Sequence, residues 1–357
     1  MIKKIVFIVE SLFNARDYER FGVDLLIKNG FKVEIFDLSI YMRVKSQLSI
    51  PSVSAVKFSG HIAVENKSDL NLILKDNCNQ CFIVTVISYR PDTYFIYKYI
   101  SKYNIPYGLL SMAAPYEMPS LRQKVNIIDK IINGLVSLNS NGLKHNLKNY
   151  LSGKLLGIKP AKYIFAGGAE CSYAPKLLGK RTQIIWIHTF DYDIYLAGQY
   201  KKIKKDNYAV FLDQNLPFHP DFIIEGMLNP IDASAYYSEL ANAFDTIEKK
   251  FGLTIVIAAH PSANKKTVAE YFRGRNVFVG NTAGLVQGSD LCITHWSYAI
   301  NFAVLFKKPI ILLTSASIKK MKRNYLTDSY SSELGISPVD TSSGIINLRF
   351  QSLSVSH

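Results

Sequence analysis

Residues 254–314 read TIVIAAHPSANKK, a break, then NVFVGNTAGLVQGSDLCITHWSYAINFAVLFKKPIILLT. Three short apolar runs, 254–258, 277–279 and 291–294, each end in a polar loop. The loops are His260-Pro261-Ser262, then Asn281-Thr282, then His295-Trp296-Ser297 with Tyr298 following. A fourth run, 309–313, comes after a segment of helical spacing. Short continuous apolar runs alternating with helix-period segments are the pattern of buried parallel strands. In open α/β sheets, ligands bind outside the carboxyl ends of the strands, so this edge is expected to hold a nucleotide or phosphate.

Upstream, a similar rhythm repeats. The run 5–9 leads into Glu10 and Ser11, and residues 17–28 space their apolar positions for one helix that stops at Asn29-Gly30. Strands are expected at 31–36, 82–87, 107–110, 163–165 and 184–187, with helices over 93–103 and 126–151. The strand at 163–165 ends in Gly167-Gly168, where backbone can approach a ligand closely. The strand at 184–187 ends in His188-Thr189-Phe190-Asp191-Tyr192-Asp193. A lysine-rich stretch at 201–205 reads as a linker, followed by a fresh strand at 208–212 and the loop that holds Asp213, Gln214 and His219. Residues 232–251 read as a helix between an Asp232 cap and a Gly252 stop. A short helix is expected at 317–322, and the chain from Ser331 onward is polar and poorly patterned.

At 357 residues the chain exceeds what one core comfortably serves. The expected organisation is two Rossmann-like α/β domains, 1–203 and 204–330, around a central cleft. A segment at 331–357 is free to cross back to the first domain. The composition, 48% apolar and 20% charged, is that of a globular protein. A net charge of +14 points to acidic partners: a phosphorylated small molecule or an anionic membrane face. No nucleic-acid-binding module accompanies it, so nucleic acid is not expected. Cys78-Asn79-Gln80-Cys81 is a lone CxxC, and with Cys171 and Cys292 it reads as buried thiols of a reducing cytosol. No signal-type or membrane-spanning stretch occurs, which favours a cytoplasmic protein with peripheral contact at the inner membrane face. No GxGxxG, P-loop, HExxH, GxSxG or EF-hand spacing is found, so a dinucleotide cofactor, zinc-protease, hydrolase or calcium chemistry has no support.

Three groups carry candidate chemistry. His260 and Ser297 are placed to bracket a phosphate, His260 aimed by Pro261 and Ser297 opening a helix whose amides face the anion. The plainer alternative is a hydrogen-bonded loop histidine and an N-cap. Asp191 and Asp193, with His188, are candidates to take a proton from an acceptor hydroxyl, against a plain role in turns. Asp213 and His219 form the third group, with loop chemistry around Pro217 and Pro220 as the alternative.

The HP pair His260-Pro261, followed by Ser297 in THWSYAINFAVLFKKPIIL, resembles the C-terminal half of bacterial sialyltransferases and Kdo transferases of the glycosyltransferase-B architecture. It is also similar to polymerases that transfer glycerol phosphate from a CDP donor. The resemblance covers roughly residues 206–315 and implies donor-phosphate roles for His260 and Ser297. The first half lacks the acidic-acidic-glycine motif of the sialyltransferases, and Asp191 and Asp193 stand in for it. Together these features suggest an inverting, metal-independent glycosyltransferase needing no cofactor beyond its nucleotide-sugar co-substrate, a CMP-linked acidic sugar being favoured. Its acceptor would be a glycan or lipid-linked precursor of bacterial surface polysaccharide or lipopolysaccharide. The expected donor side comprises His260, Pro261, Ser262, Asn281, Thr282, His295, Ser297, Tyr298, Asp213, Gln214 and His219. The acceptor side comprises Glu10, Ser11, Gly167 and Gly168. Competing expectations are a sugar-nucleotide epimerase, a CDP-glycerol-type phosphotransferase, and a non-catalytic module that binds anionic glycan or lipid.

Overall fold

The computed structural model describes residues 2–46, 56–76, 80–112, 153, 155–168, 176–198, 200–201, 207–219, 229–261, 263, 269–321 and 324–342. Ser262, Cys78, Cys171, the expected helix at 126–151 and the chain beyond 342 lie outside these residues. The described chain divides into two compact units that meet between His188 and Thr189 in the sequence.

Unit 1 is a seven-stranded parallel sheet. Its strands are β1 (Lys4–Val9), β2 (Lys32–Asp37), β3 (His61–Ala63), β4 (Cys81–Thr85), β5 (Tyr107–Ser111), β6 (Tyr163–Ala166) and β7 (Gln183–Trp186), in the order β3-β2-β1-β4-β5-β6-β7. Lys4 pairs with Lys32 on one side and Cys81 on the other, so chain progression reverses between β1 and β4. Alternate residues of β1 enter different cores. Val6 and Ile8 join one buried cluster, and Phe7 and Val9 join another, as a strand covered on both faces requires. The helix expected over residues 17–28 is two helices, α1 (Ala15–Arg20) and α2 (Val23–Lys28). Gly22 sits between them at φ +62°, a left-handed backbone that ends one helix before the next begins. Then come α3 (Ser39–Ser46), α4 (Lys67–Asp76) and α5 (Tyr94–Lys102).

Unit 2 opens with α6 (Phe190–Ala197) and carries β8 (Tyr208–Leu212), α7 (Ala233–Phe251), β9 (Thr254–Ala259), β10 (Val277–Val279), α8 (Thr282–Gly288), β11 (Leu291–Thr294), α9 (Ile300–Leu305) and β12 (Ile310–Thr314). The helices α10 (Ala316–Lys319) and α11 (Tyr325–Leu334) and the strand β13 (Val339–Asp340) complete it. The sheet is parallel, in the order β10-β9-β8-β11-β12-β13, and reverses between β8 and β11. The five residues of β8, YAVFL, are all buried at its centre. Helix α7 has the ends its sequence forecasts. Asp232 accepts from the Ala235 amide at 2.7 Å, and Gly252 closes the helix at φ +65°. Its Tyr236, Tyr237, Leu240, Phe244 and Ile247 enter the unit 2 core.

Two boundaries differ from expectation. The first domain was expected to run to 203, yet α6 belongs to unit 2. Tyr195 and Tyr200 set their rings 5.2 and 5.5 Å from Phe306, and Ile194 packs on the unit 2 core. The Lys201 carbonyl, at the head of the expected linker, accepts from Asn281 Nδ2 at 2.8 Å. Gly284 is pressed against the same carbonyl, which a Cβ would meet at 2.1 Å. At the other end, the stretch from Ser331 onward, expected to be unpatterned, completes the last turn of α11 and forms β13. Thr314 pairs with Asp340, so the described C-terminal segment extends the unit 2 sheet.

Candidate functional site

The reversal between β8 and β11 makes the carboxyl edge of unit 2 its natural crevice. Three loops reach it. The β8 loop carries Asp213, Gln214 and Asn215, the β9 loop His260 and Pro261, and the β11 loop His295, Trp296, Ser297 and Tyr298. The Trp296 amide donates to Gln214 Oε1 at 3.0 Å and ties the two loops that flank the reversal. His260 and His219 are half-buried, with ring centroids 5.0 Å apart. Ser297 is half-buried and Tyr298 is exposed.

Ser297 does not cap the following helix as expected. Helix α9 begins at Ile300 with Ala299 as its cap. The Ser297 and Tyr298 carbonyls accept from the Ile300 and Asn301 amides, i→i+3 turns that precede the α-helix. The Ser297 hydroxyl accepts from the Ala299 amide at 3.4 Å.

His295 was expected among the phosphate ligands and is instead part of the core, with no exposed surface. Nδ1 lies 2.8 Å from the Leu313 carbonyl, which can only accept, so Nδ1 carries the proton. Nε2 therefore accepts from the Tyr236 hydroxyl at 2.9 Å. Burial pulls its pKa down to about 4, and the ring stays neutral.

Asp213 is 4% exposed. Its Oδ1 accepts from the Asn215 amide at 2.9 Å. Oδ2 has no partner at hydrogen-bonding geometry, and neither have Asn215 Oδ1 and the Tyr237 hydroxyl, all buried. Burial pushes the Asp213 pKa up to about 6, while the nearby amides of Asn215, His260 and Gln214 pull it back. A direct ligand contact, the sequence expectation, does not suit a carboxylate so enclosed.

Asn281 and Thr282 follow the edge strand β10, apart from the reversal. The Asn281 carboxamide holds the Lys201 carbonyl, a tether within unit 2. The expected constellation of His188 with Asp191 and Asp193 falls on the division between the units: His188 ends unit 1, and both aspartates lie in the first turn of α6. Asp191 Oδ2 accepts from Asn301 Nδ2 at 3.1 Å, within unit 2. Asp193 is exposed.

In unit 1 the corresponding crevice lies between β1 and β4. Glu10 follows β1, and Arg90 and Asp92 follow β4. Arg90 grips both oxygens of Glu10, at 2.6 and 3.2 Å, and its Nε reaches Asp92 at 3.2 Å. These carboxylates raise the guanidinium pKa, although burial opposes them as the largest single influence. Arg90 was not singled out from the sequence, and the Arg-Pro-Asp behind a buried strand is the signal that could have found it. Ser11 is exposed beside Glu10. Gly167 donates its amide to the Ser111 carbonyl at 3.0 Å, and a Cβ on Gly168 would meet nothing within 4 Å. Farther along the edge, Asp37 accepts from the Phe13 and Ser39 amides and pairs with His61 Nε2 at 2.8 Å.

Cys81 and Cys292 are buried free thiols, and burial pushes Cys292 up to about 12. Among the described residues, no helix is long and apolar enough to cross a membrane, and no His, Cys, Asp or Glu group is arranged to hold a metal.

No protein-family model matches the sequence, and no curated protein matches it. Solved structures do match in fold. The UDP-GlcNAc 2-epimerase from Methanocaldococcus jannaschii superposes with a TM-score of 0.50 at 11% identity, covering 98% of this chain and 95% of that one. The glycotransferase of kitacinnamycin superposes with a TM-score of 0.50 at 10% identity, covering 97% and 87%. At such identities the likeness is one of fold: two parallel-sheet α/β units, similar to those of glycosyltransferase-B enzymes and UDP-GlcNAc 2-epimerases.

Proposed function

We propose that the chain is a glycosyltransferase that takes its sugar from a nucleotide donor, with the donor phosphate at the carboxyl edge of unit 2. The observation that carries this reading is the strand reversal between β8 and β11, which gathers the His260, Gln214 and Ser297 loops at one edge. His260 and the Ser297 hydroxyl would donate to phosphate oxygens, and nearby amides would stabilise charge developing on the leaving nucleotide. The His-Pro pair and downstream serine favour a CMP-linked acidic sugar among donors. The basic surface suits a glycan or lipid-linked acceptor at an anionic membrane. Asp191 and Asp193, in the first turn of α6, are the candidates to take the acceptor proton.

Calorimetry with CMP, CDP, UDP and dTDP tests the site. A His260→Ala variant should bind the preferred nucleotide on the order of 10-fold or more weaker, the loss of one charge-assisted hydrogen bond. Failure of all four nucleotides to bind would refute the reading. The epimerase reading is favoured by the mutual coverage with the Methanocaldococcus jannaschii enzyme. Product analysis without acceptor separates the two, since an epimerase turns over its nucleotide sugar alone.

A further inference from the structure

We infer that Asp213 is a positioning residue through which the unit 2 edge takes up a proton from solvent when a phosphate group binds. The inference rests on the phosphate-site reading above. Three observations support it. Asp213 is enclosed, yet it belongs to the loops that would receive the anion: Gln214 beside it is tied to Trp296, and the His260 amide faces its carboxylate. Its Oδ1 is satisfied by the Asn215 amide, while Oδ2 has no partner. A buried carboxylate oxygen without a donor is the natural place to carry a proton, because protonation removes the charge that burial penalises.

Among the described residues, the groups facing Asp213 are as follows. Helix α7 presents the Tyr236 and Tyr237 hydroxyls, and Asp213's charge helps raise both of them. The β9 loop presents His260, whose ring neighbours His219. Behind Tyr236 the β11 loop holds His295, which is neutral and bonded to the Tyr236 hydroxyl. The tyrosines are neutral across the working pH range and cannot offset a second negative charge. A phosphate arriving in these loops therefore adds its field to that of the carboxylate, and protonating Asp213 relieves both burial and repulsion. No bond is made or broken; one proton moves from buffer to Asp213 per phosphate group bound.

Isothermal titration of UDP, CMP and dTDP at pH 7, in buffers of different ionisation enthalpy, reads the proton count directly. Wild type should take up about half to one proton more per nucleotide than Asp213→Asn, by linkage. Its affinity should fall by up to about tenfold per pH unit above pH 6 relative to the variant. The ionisation of the nucleotide's own phosphate is common to both proteins and drops out of the difference. Equal proton uptake in the two overturns this inference and leaves the phosphate site standing. Absence of nucleotide binding in wild type overturns both. Should the variant fail to fold, infrared difference spectroscopy on wild type decides: nucleotide addition must add a protonated-carboxyl C=O band, and its absence overturns the inference.

Discussion

Replacing Asp213 by Asn should make unit 2 more stable at neutral pH, with the gain vanishing in acid, and the pH dependence of each protein follows from two buried groups. Asp213 has a folded-state pKa of about 6 against 3.8 for an ordinary aspartate. Below 3.8 the carboxyl is protonated in folded and unfolded chains alike, and its contribution is fully present. As pH rises through about 6, the unfolded chain has already ionised, and that contribution is lost. At about 1.4 kcal/mol per tenfold, the loss is on the order of 3 kcal/mol. His295 runs the other way. Its folded pKa of about 4 lies below the ordinary 6.5, so its contribution is present above 6.5 and is lost as pH falls through 4. That loss is also on the order of 3 kcal/mol. In the native protein the two slopes oppose one another between pH 4 and 6.5. Asp213→Asn removes one of them. Relative to wild type, the variant should gain about 3 kcal/mol between pH 4 and pH 7, roughly 6–12 °C in Tm for a unit of this size. Its own stability should then fall in acid with the His295 slope alone. Any fixed effect of the new carboxamide is the same at every pH and does not enter the slope. Chemical denaturation at pH 4, 5, 6, 7 and 8 checks it. A pH-independent difference between the two proteins would refute the assignment of a buried, proton-poised carboxyl.

Three further outcomes are expected. His295→Ala should cost about 2–5 kcal/mol, from the cavity and the orphaned Tyr236 hydroxyl, yet leave the affinity of the folded protein for nucleotide within about threefold; denaturation and calorimetry on one preparation separate the two. Gly284→Ala should destabilise by about 1–3 kcal/mol, because its Cβ would meet the Lys201 carbonyl at 2.1 Å, whereas Gly168→Ala, in open space, should change unfolding by less than about 0.5 kcal/mol. Arg90→Ala should lower stability by about 1–2 kcal/mol at low salt, with Arg90→Lys recovering only part, since a lysine cannot grip both Glu10 oxygens and Asp92 at once; denaturation midpoints across a salt series measure this.

Much of the fold was legible because the decisive signals are local. A run such as YAVFL, buried on both faces, has little choice but a central strand, and Asp232 and Gly252 announce the two ends of α7 by chemistry confined to a few residues. What was missed depends on partners far away in sequence. His295 looks the same in the sequence whether it meets a phosphate or the core, and its deciding partner, Tyr236, lies 59 residues earlier. Glu10 and Arg90 are 80 residues apart, and Asp191 and Asn301 are 110 apart. The placement of α6 likewise turns on Phe306, which only the folded sheet brings to Tyr195. Gly22 was a different kind of miss: helical spacing ran unbroken across it, and the left-handed turn shows only in the backbone.

The two units meet the same electrostatic problem with opposite solutions. Each has an acidic residue directly after its first strand, Glu10 after β1 and Asp213 after β8, and each such strand borders the reversal of its sheet. In unit 1 the strand across the reversal supplies Arg90, which spends its guanidinium on Glu10 and Asp92. An added phosphate there would have to compete with two carboxylates for that cation. In unit 2 the strand across the reversal supplies a backbone amide, from Trp296 to Gln214, and the acid is buried and left to shed its charge by protonation. Neutralising the acid with a proton removes its repulsion toward an anion held by the surrounding loops. On these grounds an anion should favour the unit 2 edge over the unit 1 edge, and its preference should grow as pH falls toward 6.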